Sequence, residues 1–418
     1  MKKYIKYISL VLSVVLLLLC GMPYVSAEEE TENIDAGFVL VTDYGADGMD
    51  SLDDSAAFEA ALATGKNIYV PRGSYRVSKT IEISDRIIRG AGVNVTEIRG
   101  TMTDITQPII SVDGISSVYD MTIGYSSVEE VQNTNQGEKV GIQLGTAEKP
   151  LMPGSVVRNV YFHRVGTGLY NPANAGCSGT IMENLFIYPY YCGVNMQGEN
   201  RIANSYSNIY INAHVSKKAT IMDSGITLAG SSYGETLHQI NVEHCTYETA
   251  SMALKNAHNI NIAVMHFEGV NLASDNLGWI FAENTTGYLG AFTNYFTYID
   301  TYKNSMIRFG DSEGTSKFYI GILHNRGLNA PDNSSHLDWI EEIEKRGVQK
   351  GMVVGGDTAA DFRLFRRAKG AKGDYQVTLD YYTYYAYVKG DTPYYLNYMN
   401  KNEDLTLILK HKAKEAMR

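Results

Sequence analysis

The chain has 418 residues, Lys+Arg 36 against Asp+Glu 46, 44% hydrophobic residues and only 9 Pro. That is too long for one small domain and too apolar for a disordered chain. Without Lys2, Lys3 and Lys6 of the first 27 residues the net charge is −13, which excludes nucleic acid and an anionic membrane as partners, because phosphate binding needs clustered cations.

Those three lysines form a positive n-region. Ile8 to Leu19 is an apolar run interrupted only by Ser9 and Ser13, and Val25-Ser26-Ala27 supplies the small-x-small pattern before Glu28. Together they predict a secretory signal peptide over 1–27 and a secreted mature chain. The run is short for a retained membrane anchor. Leu19, where a small residue is wanted, speaks against a lipoprotein site at Cys20. After the leader only Cys177, Cys192 and Cys245 remain, an odd number without metal spacing, which excludes a disulfide framework. Buried thiols are favoured over a Cys177–Cys192 pair.

Next come a short strand, Phe38-Val39-Leu40-Val41, and the turn-rich run Asp43 to Gly48. Asp53-Asp54-Ser55 opens a helix through Ala63, where an Asp suits the free amides and the positive end of the dipole. Strands follow at Asn67 to Pro71, Tyr75 to Val77, Ile81 and Ile83, and Ile87-Ile88. This segment, "VTDYGADGMDSLDDSAAFEAAL…NIYVPRGSYRVSKTIEI…RIIRGAG", resembles the N-terminal part of pectate lyase-superfamily proteins. Rhamnogalacturonase-like, epimerase-like and glycosyl hydrolase family 28-related proteins and many phage tailspikes belong to that group. The resemblance covers roughly residues 41–100. It implies an all-β, right-handed parallel β-helix with an N-terminal cap (about 38–100) that holds Asp53 and Asp54 in a structural role. Fold does not fix the reaction.

From about 109 to 326 short alternating strands repeat between Gly, Asn and Ser turns. Asn159-Val160-Tyr161-Phe162, Asn184-Leu185-Phe186-Ile187 and Asn208-Ile209-Tyr210-Ile211 share one pattern, and their asparagines are expected to form ladders at bends. The best internal match aligns Ile240–Glu248 with Ile260–Glu268 at an offset of 20. Such a period marks a solenoid whose coils bury one another. The β-helix domain is therefore set at 28–330. Over 331–418 a helix from Ser335 to Gly347 precedes Tyr-rich strands. These form either a cap or, through Tyr381, Tyr382, Tyr384, Tyr385 and Tyr387, a sugar-stacking surface. Alternation spreads the tyrosines over both faces and favours the cap.

No nucleophile elbow, phosphate loop or zinc spacing is present. The Asp runs and Gly-His-Gly of the family's glycosidases are missing, as is the Arg and calcium-binding Asp set of pectate lyases. The residues imply no cofactor, and calcium would enter through the resemblance alone. The repeat alignment leaves Glu248 and Glu268 as a column whose carboxyls, one coil apart, suit a retaining glycosidase. Asp300 extends that column, and His266 stands by as a base. His244, Tyr247, Phe267 and Arg308 complete the expected substrate contacts. The competing reading makes these glutamates solvated side chains on a turn.

Hydrolysis of a polysaccharide is the leading expectation. The alternatives are β-elimination, in which His266 and Arg308 would act, and a non-catalytic glycan-binding surface protein. Carboxylates with aromatics along a groove would mark an enzyme, whereas flat Asn, Ser and Thr ladders would mark a binder. The tailspike resemblance adds trimers. The secreted form is expected to begin at Glu28. An intact mass that retains the leader, or carries lipid on Cys20, would overturn this.

Overall fold

The computed structural model describes residues 37–127, 134–212, 222–243, 246–268, 271–272, 278–296, 305–310, 315–327, 352–355, 365–367, 374–387 and 393–398. The expected leader, His244, Cys245, Asp300 and the helix expected from Ser335 lie outside the described residues. Residues 39–418 form one compact unit, and residues 1–38 form another that falls almost wholly outside the described set.

The N-terminal order follows the sequence pattern closely. Strand Phe38–Leu40 is followed by helix Ser55–Leu62 and by strands Asn67–Val70, Gly73–Val77, Ile81–Ser84 and Ile87–Gly90. The helix buries Phe58 edge-on against Tyr75, with ring centroids 6.1 Å apart. Only Asp53 meets an amide of the first turn, accepting from Ser55 N at 3.1 Å, and it also accepts from Ser78 N. Asp54 instead accepts from Asp47 N and Arg76 N, at 2.8 and 2.9 Å, and so ties the preceding turn to the third strand. Both carboxylates are engaged by backbone donors, as structural residues should be.

The chain is an all-β parallel solenoid of about nine turns. Each coil contributes strands to three faces. Face 1 includes 67–70, 87–90, 117–119, 156–158 and 181–183. Face 2 includes 96–100, 121–124, 160–163, 185–188, 209–212, 240–243 and 265–268. Face 3 includes 81–84, 110–113, 140–144, 167–171, 192–196 and 222–228. Short strands Arg201–Ile202, Ser232–Tyr233 and Ala257–His258 pair in the link from face 3 back to face 1. Alternate residues point inward and stack on like residues of the next coil. On face 2 one column runs Met121, Val160, Leu185, Ile209, Ile240, Met265, and its neighbour runs Ile123, Phe162, Ile187, Ile211, Val242, Phe267. All twelve are buried. Each contributes roughly 1.5–3 kcal/mol of transfer free energy.

The bend between faces 1 and 2 is made by residues in the left-handed region. Asp120, Asn159, Asn184 and Asn208 have φ of 57°, 55°, 53° and 51°. Asn and Asp tolerate that conformation better than other side chains with a Cβ. Their side chains form the expected ladder: Nδ2 of Asn159, Asn184 and Asn208 each donates to the side-chain oxygen one coil back, at 2.8, 3.0 and 2.8 Å. Faces 2 and 3 approach too closely for side chains on both. Gly141, Gly168, Gly193 and Gly225 stack in register on face 3, and a Cβ on Gly193 would lie 2.6 Å from Ile211 Cδ1. Cys177 and Cys192 are free and buried, and burial pushes both thiols up to about 12.

One charged pair is sealed in the interior. Arg201 and Glu235 are both at 0% exposure, with Nε to Oε1 at 3.1 Å. Arg201 Nη1 also donates to the carbonyls of Met196, Gly198 and Ala229, while Glu235 accepts from Asn204 and Tyr206. At the other end, strand Asp374–Tyr387 continues the parallel stack on Thr315–Gly327. It also pairs antiparallel with Met352–Gly355 and Pro393–Tyr398. No helix among the described residues is long and apolar enough to cross a membrane.

Removing one member of a buried ion pair leaves the other charged and unpaired. Glu235→Gln is expected to cost about 3–5 kcal/mol in a denaturant titration, whereas the exposed neighbour change Glu199→Gln is expected to be near neutral.

Candidate functional site

The outward residues of face 2 form two columns. Glu97, Thr122, Tyr161, Phe186, Tyr210, Asn241 and His266 lie in register along one. Arg99, Gly124, His163 and Tyr188 lie in register along the other, and Asn212 and Glu243 form its continuation on the coils that follow. Strand alternation puts them outside because their neighbours Val160, Phe162, Leu185 and Ile187 fill the core. Five rings cluster there. His163 stacks on Tyr161 at 5.6 Å and 8°, and Tyr161 meets Tyr188 edge-on at 5.6 Å. Tyr210 lies 5.9 Å from Phe186 and 6.5 Å from Tyr188. Phe186, at 46% exposure, is a large apolar ring in water.

The platform is anchored at its N-terminal end. A Cβ on Gly124 would lie 2.7 Å from His163 Cδ2, so glycine leaves room for the imidazole to reach Glu97, with Nε2 to Oε1 at 2.8 Å. Arg99 Nη2 lies 2.7 Å from Glu97 Oε2, and Ser74 Oγ donates to the same oxygen. Burial alone would raise the Glu97 pKa, but the bonds from His163 and Arg99 and the arginine charge outweigh it and bring it to about 2. Toward the C-terminal end the chemistry turns acidic. Tyr210 Oη donates to Glu243 Oε2 at 2.8 Å and accepts from Asn212 Nδ2 at 2.8 Å. Burial and the Glu243 charge push the Tyr210 phenol up to about 12, so it remains a donor.

The expected carboxylate column changes partner here. Ile240–Glu248 and Ile260–Glu268 do lie on neighbouring coils, and Ile240, Val242, Ile260 and Ile262 all face the core. Their register, however, is 25 residues and not 20: Asn241 pairs with His266, Val242 with Phe267 and Glu243 with Glu268. Glu243 is thus the coil neighbour of Glu268, whose side chain lies outside the described atoms. Glu248 is exposed at the start of strand Thr246–Lys255, on the face 3 side. Its charge and that of Asp223 add to burial in raising the Tyr191 phenol. Asp223 accepts from Thr249 Oγ1 at 2.9 Å.

His266 is half-buried on face 2, beside the 243–268 pair. Arg308 lies on face 3, in register with Phe281, and therefore not beside His266. Tyr247 and Phe267 are both at 0% exposure, which corrects their assignment as substrate contacts: alternation turns them into the core. Sequence reasoning missed Glu243, Tyr161, Phe186, Tyr188 and Tyr210 as one surface. The signal available was the outward aromatic following each Asn-apolar pair, at Tyr161, Phe186 and Tyr210.

Among the described residues no group of three or more His, Cys, Asp or Glu is placed to hold a metal ion. A cavity of about 530 Å³ opens elsewhere, beside Pro150, Met152, Asn174 and Glu199, and no face 2 residue lines it.

The stacked parallel coils and the N-terminal turn-helix-strand order define a pectate lyase-like solenoid. The chain belongs to the rhamnogalacturonase A/epimerase, pectate lyase-like family, whose profile matches residues 38–276. It is 46% identical to the pre-neck appendage protein of Bacillus phage B103 over 57 residues, which are 13% of this chain and 7% of that protein. It is 33% identical to alginate lyase 7 of Azotobacter vinelandii over 121 residues, 25% of this chain and 14% of that enzyme. The chain thus spans only a small part of these curated relatives. Among solved structures it is similar to the enzymatically active domain of tailspike protein 2 of bacteriophage CBA120. That match has a TM-score of 0.49 and 14% identity and covers 72% of this chain and 44% of that one. It is also similar to PfbA, a surface adhesin of Streptococcus pneumoniae, with a TM-score of 0.43 and 12% identity over 70% of this chain and 90% of that one.

The depressed Glu97 pKa has a stability consequence. Its ordinary value is 4.5, so the stabilisation is complete above that pH and is lost as pH falls toward about 2. Glu97→Gln is expected to cost about 1–2 kcal/mol at pH 7, and the gap to wild type should close in melts near pH 2.

Proposed function

We propose that the protein is an exported carbohydrate-active solenoid that hydrolyses a polysaccharide on face 2, with Glu243 and Glu268 as the carboxylate pair. The observation that carries this reading is the continuity of the outward surface: an aromatic platform leads, coil by coil, into two glutamates in register. Sugar rings stack on Tyr and Phe faces because both present flat apolar patches. Strands about 4.8 Å apart set the two glutamates at a separation suited to a retaining mechanism.

Glu243, already accepting from Tyr210, is the nucleophile. It attacks the anomeric carbon while Glu268 gives its proton to the departing glycosidic oxygen. Water then cleaves the glycosyl ester with Glu268 as base, and His266 and Asn241 hold hydroxyls alongside. Export rests on the 1–27 leader. The helix Ser55–Leu62 and the antiparallel strands after residue 350 serve as the end caps, covering edges that would otherwise pair with other chains.

A second reading is β-elimination, favoured by the local match to an alginate lyase. It needs a base beside a cation. The separation of His266 from Arg308 removes the pair first expected to supply them. Rings with carboxylates, in place of a flat polar ladder, also weigh against a purely binding protein.

The test is a polysaccharide screen that reads new reducing ends and unsaturated products separately. Glu243→Gln and Glu268→Gln are each expected to lower turnover by 10³-fold or more with the fold intact, and Glu248→Gln to leave it within a few-fold. Unsaturated product, or full activity in both variants, would overturn the hydrolytic reading.

A further inference from the structure

The cavity of about 530 Å³ sits at the link from face 3 back to face 1, and three successive coils build it. Pro150, Met152 and Pro153 line it from one link, Asn174 and Ser178 from the next, and Glu199 and Asn200 from the third. Parallel bridges join Leu151 to Cys177 and Ser178 to Ile202, so the links stack as the strands do.

The floor is held from inside. Asn171, at 0% exposure, donates Nδ2 to Leu144 O at 2.7 Å and to Ala175 O at 3.1 Å, and accepts from Gly198 N at 3.1 Å. One side chain thus ties together the three coils that line the cavity. Arg201 Nη1 also donates to Gly198 O at 2.9 Å. The walls close on glycines: a Cβ on Gly179 would lie 2.8 Å from Pro153 Cβ, and one on Gly176 would lie 3.1 Å from Pro150 Cβ. These contacts pre-form a concave surface, which lowers the ordering cost of binding. Its rim carries the exposed amides of Asn174 and Asn200 and the exposed carboxylate of Glu199, beside the apolar surfaces of Pro150, Met152 and Pro153. Each of the three planar groups offers two polar atoms side by side, which suits adjacent hydroxyls, and the apolar wall suits the C–H face of a sugar ring.

The cavity also continues as a track. Ser178 pairs with Ile202, Ile202 with Tyr233 and Tyr233 with His258, each one coil further along. Ile202 and Tyr233 are 54% and 50% exposed, and the Tyr233 ring lies 5.2 Å from the His258 ring. An exposed tyrosine face is a stacking surface for a sugar. The step from coil to coil, about 4.8 Å, is comparable to one pyranose unit.

We propose that this link is a second glycan site, holding a linear chain of pyranose sugars along the solenoid axis with one end in the cavity and the following rings on Ile202 and Tyr233. Vicinal hydroxyls meet Asn174, Glu199 and Asn200, and a ring face lies on Tyr233. The site is on a different part of the coil from Glu243 and Glu268, so its occupancy does not depend on hydrolysis at face 2.

The test uses the mature chain with gluco-, manno- and galacto-hexaoses and chitohexaose as probes. In wild type, amide hydrogen exchange with each probe is read over 172–178 and 197–202. The variant Phe186→Ala/Tyr188→Ala, which removes two face 2 rings, is titrated with the same probes. At least one is expected to slow exchange in both link segments and to bind the platform variant. Adding Asn174→Ala or Tyr233→Ala to that variant is expected to weaken binding roughly tenfold, while Tyr233→Phe, which keeps the ring, should change it by less than about twofold. Melting curves check that each variant folds, and exchange in wild type decides alone if one does not. The proposal is overturned if no probe slows exchange at the link, or if binding to the platform variant is lost or is indifferent to both added alanines. Link protection that grows with protein concentration alone would assign the surface to a second copy and overturn it too. A protected link without cleavage of any polysaccharide would leave this site standing and count against the hydrolytic reading alone.

Discussion

Parallel hydrogen bonding between successive coils is the constraint on which everything else depends. Along the parallel stack a described strand pairs with the coils before and after it, which satisfy its backbone donors and acceptors. The bonds fix a register, and the register stacks like on like: Leu185 on Val160, Ile209 on Leu185, Ile240 on Ile209. One slipped residue would turn every apolar side chain of a strand into water. The same repetition that buries the core also lines up whatever lies outside it.

The corners keep that register affordable. A left-handed residue between faces 1 and 2 turns the chain without a loop, and the Asn159–Asn184–Asn208 ladder replaces the hydrogen bonds that a loop would leave to water. Glycines 141, 168, 193 and 225 allow the inward side chains of face 2 to rest directly on the backbone of face 3. The Arg201–Glu235 pair is costly to bury, and it is tolerated because Asn204, Tyr206 and three carbonyls share its charges. It ties two coils together where the strands are only two residues long.

Outside the core, stacking turns single residues into surfaces. One tyrosine on a strand is unremarkable, but Tyr161, Phe186 and Tyr210 in one column, flanked by His163 and Tyr188, make a continuous aromatic platform. Like charges in a column repel, and among the described residues outward acids pair with cations at Arg158–Glu183 and Arg89–Asp120. Further along, Glu243 accepts from Tyr210, and its backbone is in register with Glu268 on the next coil.

Much of the fold was legible beforehand because it is written in local patterns. The turn-helix-strand order of 38–90, the alternation of apolar residues and the recurring asparagines each depend on a few neighbouring residues. Each also appears in the structure where the sequence placed it. The site was not legible in the same way. A match of Ile240–Glu248 to Ile260–Glu268 satisfies the inward-outward pattern at 20 residues, but the strands stack at 25, because a coil holds several strands that bury alternate residues alike. Pattern cannot choose between two registers that both keep the core dry. Only the closed path of the chain around all three faces decides which residues lie one coil apart. That is why Tyr247 and Phe267 turned inward, Glu248 moved to face 3, and Glu243 took its place beside Glu268.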